Sequence, residues 1–114
     1  VVDDDREIAD MYKEAFELLG YGVAAFYSGV DALDYFSSHA DGVDVVVTDQ
    51  TMPGKTGFEM AGEMLALKRD IPIILCSGHS ETVNDSKAEK AGIKRFVLKP
   101  VSVDKLSSII QQVL

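Results

Sequence analysis

The chain has 114 residues, 46% of them apolar and 26% charged, with a formal net charge of −8. That length suits one domain with its own core, and the excess of acid argues against direct contact with nucleic acid, which is gripped by clustered Lys and Arg. No apolar run approaches the ~20 residues that span a bilayer, no signal-peptide pattern is present, and the lone Cys76 sits in the apolar run Ile73-Ile74-Leu75-Cys76, so no membrane association and a reducing, cytoplasmic setting are expected.

Val1-Val2 running into Asp3-Asp4-Asp5 reads as the end of a buried strand, with its start expected to be missing because Val1 is not a natural first residue. A helix is predicted over 5–19, with Ile8, Met11, Tyr12, Ala15, Leu18 and Leu19 as its apolar stripe and Gly20 as its stop. Val23 to Tyr27 is a second strand. Ser28 and Asp31 have the spacing of a capping box, opening a helix to about Ser38 whose apolar side is Val30, Leu33 and Phe36.

Asp44 to Asp49 is the third strand, rich in β-branched residues, with an acid at its carboxyl end and a turn at Pro53-Gly54. A helix follows over 57–69, with Phe58, Ala61, Met64 and Leu65 inward, until Asp70 and Pro72 break it. Pro72 to Cys76 is the fourth strand and Ser77-Gly78-His79 its exit loop. The next helix, about 81–91, has only Val83, Ala88 and Ala91 to pack, which predicts the least firmly held helix of the set. Gly92 closes it. The stretch Ile93 to Leu98 contains the fifth strand, Lys99-Pro100 ends it, and Ser102 caps a last helix with stripe Val103, Leu106, Ile110 and Val113.

Strand–helix alternation repeated five times implies an α/β domain, a doubly wound five-stranded parallel sheet with helices on both faces. Strand order 2-1-3-4-5 is a common solution and puts the first and third strands side by side at the switch point. The carboxyl ends of the strands then bring Asp3, Asp4, Asp49, Ser77 and Lys99 to one rim. Each has an ordinary reading alone: an acid pair after a strand caps a helix, and a Lys-Pro makes a solvated turn. All of them falling on one rim points to chemistry. Three carboxylates in one cleft need a cation, and oxygen-only ligands favour Mg²⁺ or Mn²⁺. A lysine and a hydroxyl beside them suit a phosphoryl group, with Asp49 placed to attack phosphorus in line.

Taken together, Val1-Val2-Asp3-Asp4, Asp49-Gln50-Thr51-Met52-Pro53-Gly54 with Gly57, Ser77-Gly78, and Phe96-Val97-Leu98-Lys99-Pro100 resemble the response-regulator receiver domain of two-component signalling, over essentially the whole chain. The resemblance implies a flavodoxin-like fold forming a single receiver domain over 1–114. It implies that Asp49 accepts a phosphoryl group from a histidine kinase or phosphotransfer domain. Asp4 would hold Mg²⁺ directly, Asp3 through water, and Thr51 through its backbone carbonyl. Ser77 would move toward the phosphoryl group, Lys99 would pair with it, and Phe96 would be the rotameric aromatic coupled to Ser77. The Lys99–Pro100 bond would be cis.

The implied output is a change on the face formed by the fourth helix, the fifth strand and the last helix, read by a downstream protein, an output domain or a phosphorylation-dependent dimer. Ser77 stands where threonine is commoner, and Phe96 lacks a tyrosine hydroxyl. Asp5 is read as a cap rather than a ligand. His79, two residues past Ser77, is either a solvated loop residue or one that positions the hydrolytic water; His39 is given no role. The wording around Asp49 and Cys76-Ser77-Gly78-His79-Ser80 resembles receivers attached to hybrid sensor kinases. An aspartate-nucleophile phosphohydrolase would want a second acid where Thr51 stands. A phosphorylation-independent interaction module would tend to lose an acid or the lysine.

Overall fold

The computed structural model describes residues 1–78 and 85–114. In chain order it contains α1 (Arg6–Leu18), α2 (Gly29–His39), a short 3₁₀ turn (Ala40–Gly42), β1 (Val46–Asp49), α3 (Gly57–Leu67), β2 (Ile73–Ser77), α4 (Asp85–Lys90), β3 (Arg95–Leu98) and α5 (Val103–Val113). The helix starts are set by polar side chains that accept otherwise unpaired N–H groups. Asp5 accepts from Glu7 and Ile8, Ser28 from Asp31, and Ser102 from Lys105. A reciprocal capping box forms at Thr56 and Glu59, a pairing the sequence reading did not single out.

β1, β2 and β3 form a parallel sheet in that order. Val2 adds parallel bridges to Thr48 on one side and to Phe26 on the other. The lateral order is therefore the Phe26 segment, Val2, β1, β2, β3, which is the expected 2-1-3-4-5. All five expected positions in the sheet are filled among the described residues, the last three as full strands and the first, whose start was expected to be missing, and the second as the bridges at Val2 and Phe26. The pairing beside the Phe26 segment is made by Phe26 N–H to the Val1 carbonyl and Asp3 N–H to the Phe26 carbonyl.

Side chains alternate across the sheet, as the two-residue period of a strand requires. Val46, Ile73 and Leu75 join a core with Phe36, Met60, Ala61 and Met64 of α2 and α3 and Ala88 of α4. Val47, Ile74, Cys76 and Val97 join a second core with Phe16 of α1 and Leu106, Ile109 and Ile110 of α5. The sheet is thus covered on both faces, as a parallel sheet must be.

Three expectations about helix faces need correction. In α1 the buried residues are Ala9 and Phe16, with Tyr12 packed beside them, whereas Ile8, Met11, Leu18 and Leu19 are exposed. In α2, Val30 is exposed and Ala32 replaces it inside. In α4, Ala88 is buried but Ala91 is exposed, and Val83 lies outside the described residues. In α1 and α2 small Ala side chains, which carry little hydrophobic signal, are buried while larger apolar neighbours such as Ile8 and Val30 stay outside.

Candidate functional site: an acidic pocket at the carboxyl ends of the strands

β1 is held on both sides by its neighbours. Val47 accepts from Val2 N–H, and Asp49 N–H donates to Val2. These two bonds, at 2.8 and 2.9 Å, deliver the end of β1 and the residues after Val2 to the same height on the rim. The chain then leaves Val2 through Asp3, which is 6% exposed, and exposed Asp4, while Asp49 is also 6% exposed. The carboxylates of Asp3, Asp4 and Asp49 each offer an oxygen, and these oxygens lie within 4.8 Å of one another. Asp5, at the start of α1, turns away into its cap, so the ordinary reading of that third acid holds.

The charge is partly balanced inside the pocket. Lys99, at the exit of β3, forms an ion pair with Asp49. Burial opposes the Lys99 ammonium, but the hydrogen-bonded Asp49 carboxylate, with Asp3 behind it, outweighs that and leaves its pKa above the ordinary lysine value. Asp3 behaves in the opposite sense. Burial raises its pKa, and the repulsion of Asp49 and Asp4 adds to this, against the pull of the Asp5 N–H bond (3.0 Å) and Lys99. Two buried carboxylates and a third at the mouth, all oxygen donors, are chemically suited to a hard divalent ion, so the residues fit Mg²⁺ or Mn²⁺.

The remaining expected residues fall around this group. Ser77 is fully buried at the end of β2, its backbone carbonyl accepting from Lys99 N–H at 2.9 Å and its hydroxyl donating to the Gly78 carbonyl at 3.3 Å. It is one residue beyond Cys76, which pairs in register with Asp49. Phe96 is half-buried on β3, opposite Leu75, and packs against the core that includes Ala88 of α4. Thr51 has an exposed side chain just past Asp49. Lys99–Pro100 is cis. Cys76 is buried, and burial pushes its thiol up to about 12, which fits packing rather than nucleophilic chemistry. His79 lies outside the described residues. His39 stacks on Tyr35 at the end of α2.

Two residues matter more than their sequence context announced. Gly57 starts α3 directly against the end of β1, where a Cβ would stand 2.2 Å from the Asp49 carbonyl oxygen. Only a residue without a side chain permits that approach. Gln50 is 7% exposed, and its side-chain oxygen accepts from Phe58 N–H at 2.8 Å. A glutamine after a strand end gives no signal of burial by itself.

Comparison with known proteins agrees with this geometry. The family model described as the response regulator receiver domain matches residues 1–111. The chain belongs to the receiver-domain family. Among curated relatives, it is 35% identical to the C4-dicarboxylate transport transcriptional regulatory protein DctD of Rhizobium meliloti, over 93% of this chain and 23% of that protein. It is 32% identical to the response regulator SaeR of Staphylococcus aureus, over 90% of this chain and 43% of that protein. The chain therefore spans less than half the length of these relatives. A crystal structure of a response regulator receiver domain protein from Clostridium thermocellum superposes with a TM-score of 0.93 at 28% identity, covering 98% of this chain and 89% of that one.

The doubly wound sheet expected from the strand–helix alternation, and the receiver fold that the resemblance implied, are thereby established. Receiver domains generally bind Mg²⁺ at an acidic pocket, and the clustered Asp3, Asp4 and Asp49 provide one here. Response regulators work with histidine kinases and output domains. No helix among the described residues is long and apolar enough to cross a membrane.

Proposed function

We propose that residues 1–114 act as one phosphoacceptor domain, a cytoplasmic signalling switch in which Asp49 receives a phosphoryl group from the histidine of a kinase or phosphotransfer domain. The observation that carries this reading is the placement of the buried Asp49 carboxylate beside Asp3 and Asp4 and in an ion pair with Lys99. An Asp49 carboxylate oxygen forms the new bond to phosphorus. The P–N bond to the donor imidazole breaks, and the imidazole nitrogen leaves with the electron pair and takes up a proton. Later attack by water on the phosphorus of the acyl phosphate returns the carboxylate and releases inorganic phosphate.

Asp3, Asp4, Asp49 and the Thr51 backbone carbonyl would hold Mg²⁺ or Mn²⁺. The ion supplies neutralisation of charge on the phosphoryl oxygens. Lys99 exchanges its Asp49 partner for a phosphoryl oxygen, and the Ser77 hydroxyl donates to another. That movement draws on Phe96 and on α4, and changes the α4–β3–α5 face that a downstream protein, an output domain or a second copy reads. The exposed stripe of α1 (Ile8, Met11 and Leu18) begins within one turn of the pocket, where a donor protein has to approach. The Thr51 position, without a carboxylate, supports a self-limited switch over a hydrolase acting on external phosphomonoesters.

The test is incubation with phosphoramidate or acetyl phosphate and Mg²⁺. Wild type is expected to gain one phosphoryl group and Asp49→Asn none. Equal labelling of the two proteins would contradict the assignment.

A further inference from the structure

Gln50 is the residue between the nucleophile and the carbonyl assigned to the metal. It is buried, and it is tied down three times. Its backbone N–H donates to Cys76 of β2 at 2.9 Å, and its carbonyl accepts from Gly57 N–H at 3.0 Å. Its side-chain oxygen accepts from Phe58 N–H at 2.8 Å. Gly57 and Phe58 are the first two residues of α3, so Gln50 satisfies two of the donors that a helix start leaves unpaired. Thr56 serves the next, its hydroxyl accepting from Glu59 N–H, and its carbonyl accepts the first intrahelical bond from Met60 N–H. The loop from Thr51 to Thr56 is therefore closed at its neck by Gln50 on one side and by Gly57 and Phe58 on the other. The missing Cβ of Gly57 lets the neck close onto the Asp49 carbonyl.

A backbone fastened on both sides of a reacting group is what in-line transfer demands, because small misplacements of the attacking oxygen cost orders of magnitude in rate. An apolar side chain would serve packing at the end of a buried strand equally well. A buried amide is favourable there only through its hydrogen bond, and that bond runs from the nucleophile's neighbour to the start of α3. We propose that Gln50 is a positioning residue for phosphoryl transfer: its amide oxygen, held by Phe58 N–H, sets the orientation of Asp49 and of the Thr51 carbonyl. This deepens the phosphoacceptor reading and rests on it.

The test compares wild type, Gln50→Met and Gln50→Glu for the rate of phosphoramidate labelling and, in metal-free protein, for hydrogen exchange at the Phe58 amide. Gln50→Met keeps the length and removes the acceptor. It is expected to label about tenfold more slowly at saturating donor, with the half-saturating donor concentration unchanged and the Phe58 amide exchanging faster. Gln50→Glu restores an acceptor oxygen at the same reach and is expected to recover both the slow exchange and a rate within about threefold of wild type. Gln50→Asn, one methylene short, takes the place of Gln50→Met if the latter does not fold, with the same expectation. A wild-type rate in Gln50→Met or Gln50→Asn overturns the positioning role and leaves the phosphoacceptor reading standing. So does a glutamate variant that protects the Phe58 amide yet labels as slowly as the methionine variant. Failure of wild type to label overturns the phosphoacceptor reading and this inference with it.

Discussion

The two ends of the sheet are built on opposite terms. At the carboxyl ends of the strands, Asp3 and Asp49 are buried with Asp4 and Lys99 in contact range, an arrangement that concentrates charge where solvent is scarce. Towards the amino ends the strands instead face apolar side chains, among them Phe36 on one face and Val45 and Ile110 on the other. Both ends depend on the same ladder of Ile73, Ile74 and Leu75, each fully buried. Stability resides in the middle and in the helices that cover it. The acidic rim draws on that stability to hold like charges together, and it is where the proposed chemistry takes place. Substitutions in the core should therefore change stability without changing the chemistry, and substitutions at the rim should do the reverse.

The largest effect is expected in the core. Leu106 is fully buried in α5, and Leu106→Ala should cost about 3 kcal/mol in urea unfolding, while the protein that remains folded labels at the wild-type rate. A slowed rate in the folded protein would mean that the core and the rim are not separable. Gly57→Ala tests the boundary between them. With a Cβ placed 2.2 Å from the Asp49 carbonyl oxygen, the backbone has to shift. The expected outcome is a loss of about 1–3 kcal/mol together with slower labelling, which Leu106→Ala does not show.

Asp3→Asn should move stability the other way. Burial raises the Asp3 pKa above its ordinary 3.8, so the folded protein holds that proton more tightly than the unfolded chain. This contribution favours folding below pH 3.8 and is lost as the pH rises through 3.8 and the raised folded value. At neutral pH the ionised Asp3 opposes folding of the metal-free protein. Asp3→Asn is expected to stabilise that form by about 1 kcal/mol and to weaken Mg²⁺ binding, read by urea unfolding and by metal titration. The stability gap between variant and wild type should widen as pH increases above 3.8. A gap that does not change with pH would remove Asp3 as the source. The smallest effect belongs to the exposed stripe of α1. Leu18 is 84% exposed, and Leu18→Asp should leave stability within about 0.5 kcal/mol and small-donor labelling intact, while slowing transfer from a donor protein.

Much of this contrast was legible in the residues. The β-branched run ending at Asp49, the acids after Val2 and the Lys99-Pro100 step each mark a strand end, and the alternation of strands and helices puts those ends on one rim. The lateral order of the sheet followed from the same pattern. The inward faces of α1 and α2 were less legible, because Ala9 and Ala32 contribute little to an apolar stripe yet are buried. Ile8 and Met11 contribute much to the stripe and stay outside. Gln50 was hidden for a different reason. Its burial comes from α3 folding back onto the end of β1, a contact made by Gly57 and Phe58 seven and eight residues away. Pairings of that kind are set by tertiary packing and leave no local pattern to read.

The central claim is that the buried charge at the rim is a nucleophile, with an Asp49 carboxylate oxygen as the attacking atom and its neighbours as support. The most direct measurement is peptide mapping of the protein after reaction with phosphoramidate and Mg²⁺, with the acyl phosphate trapped by borohydride reduction. The account predicts a single modified position, Asp49, in wild type and in Leu106→Ala. Modification at Asp3, Asp4 or Ser77 in place of Asp49 would contradict it.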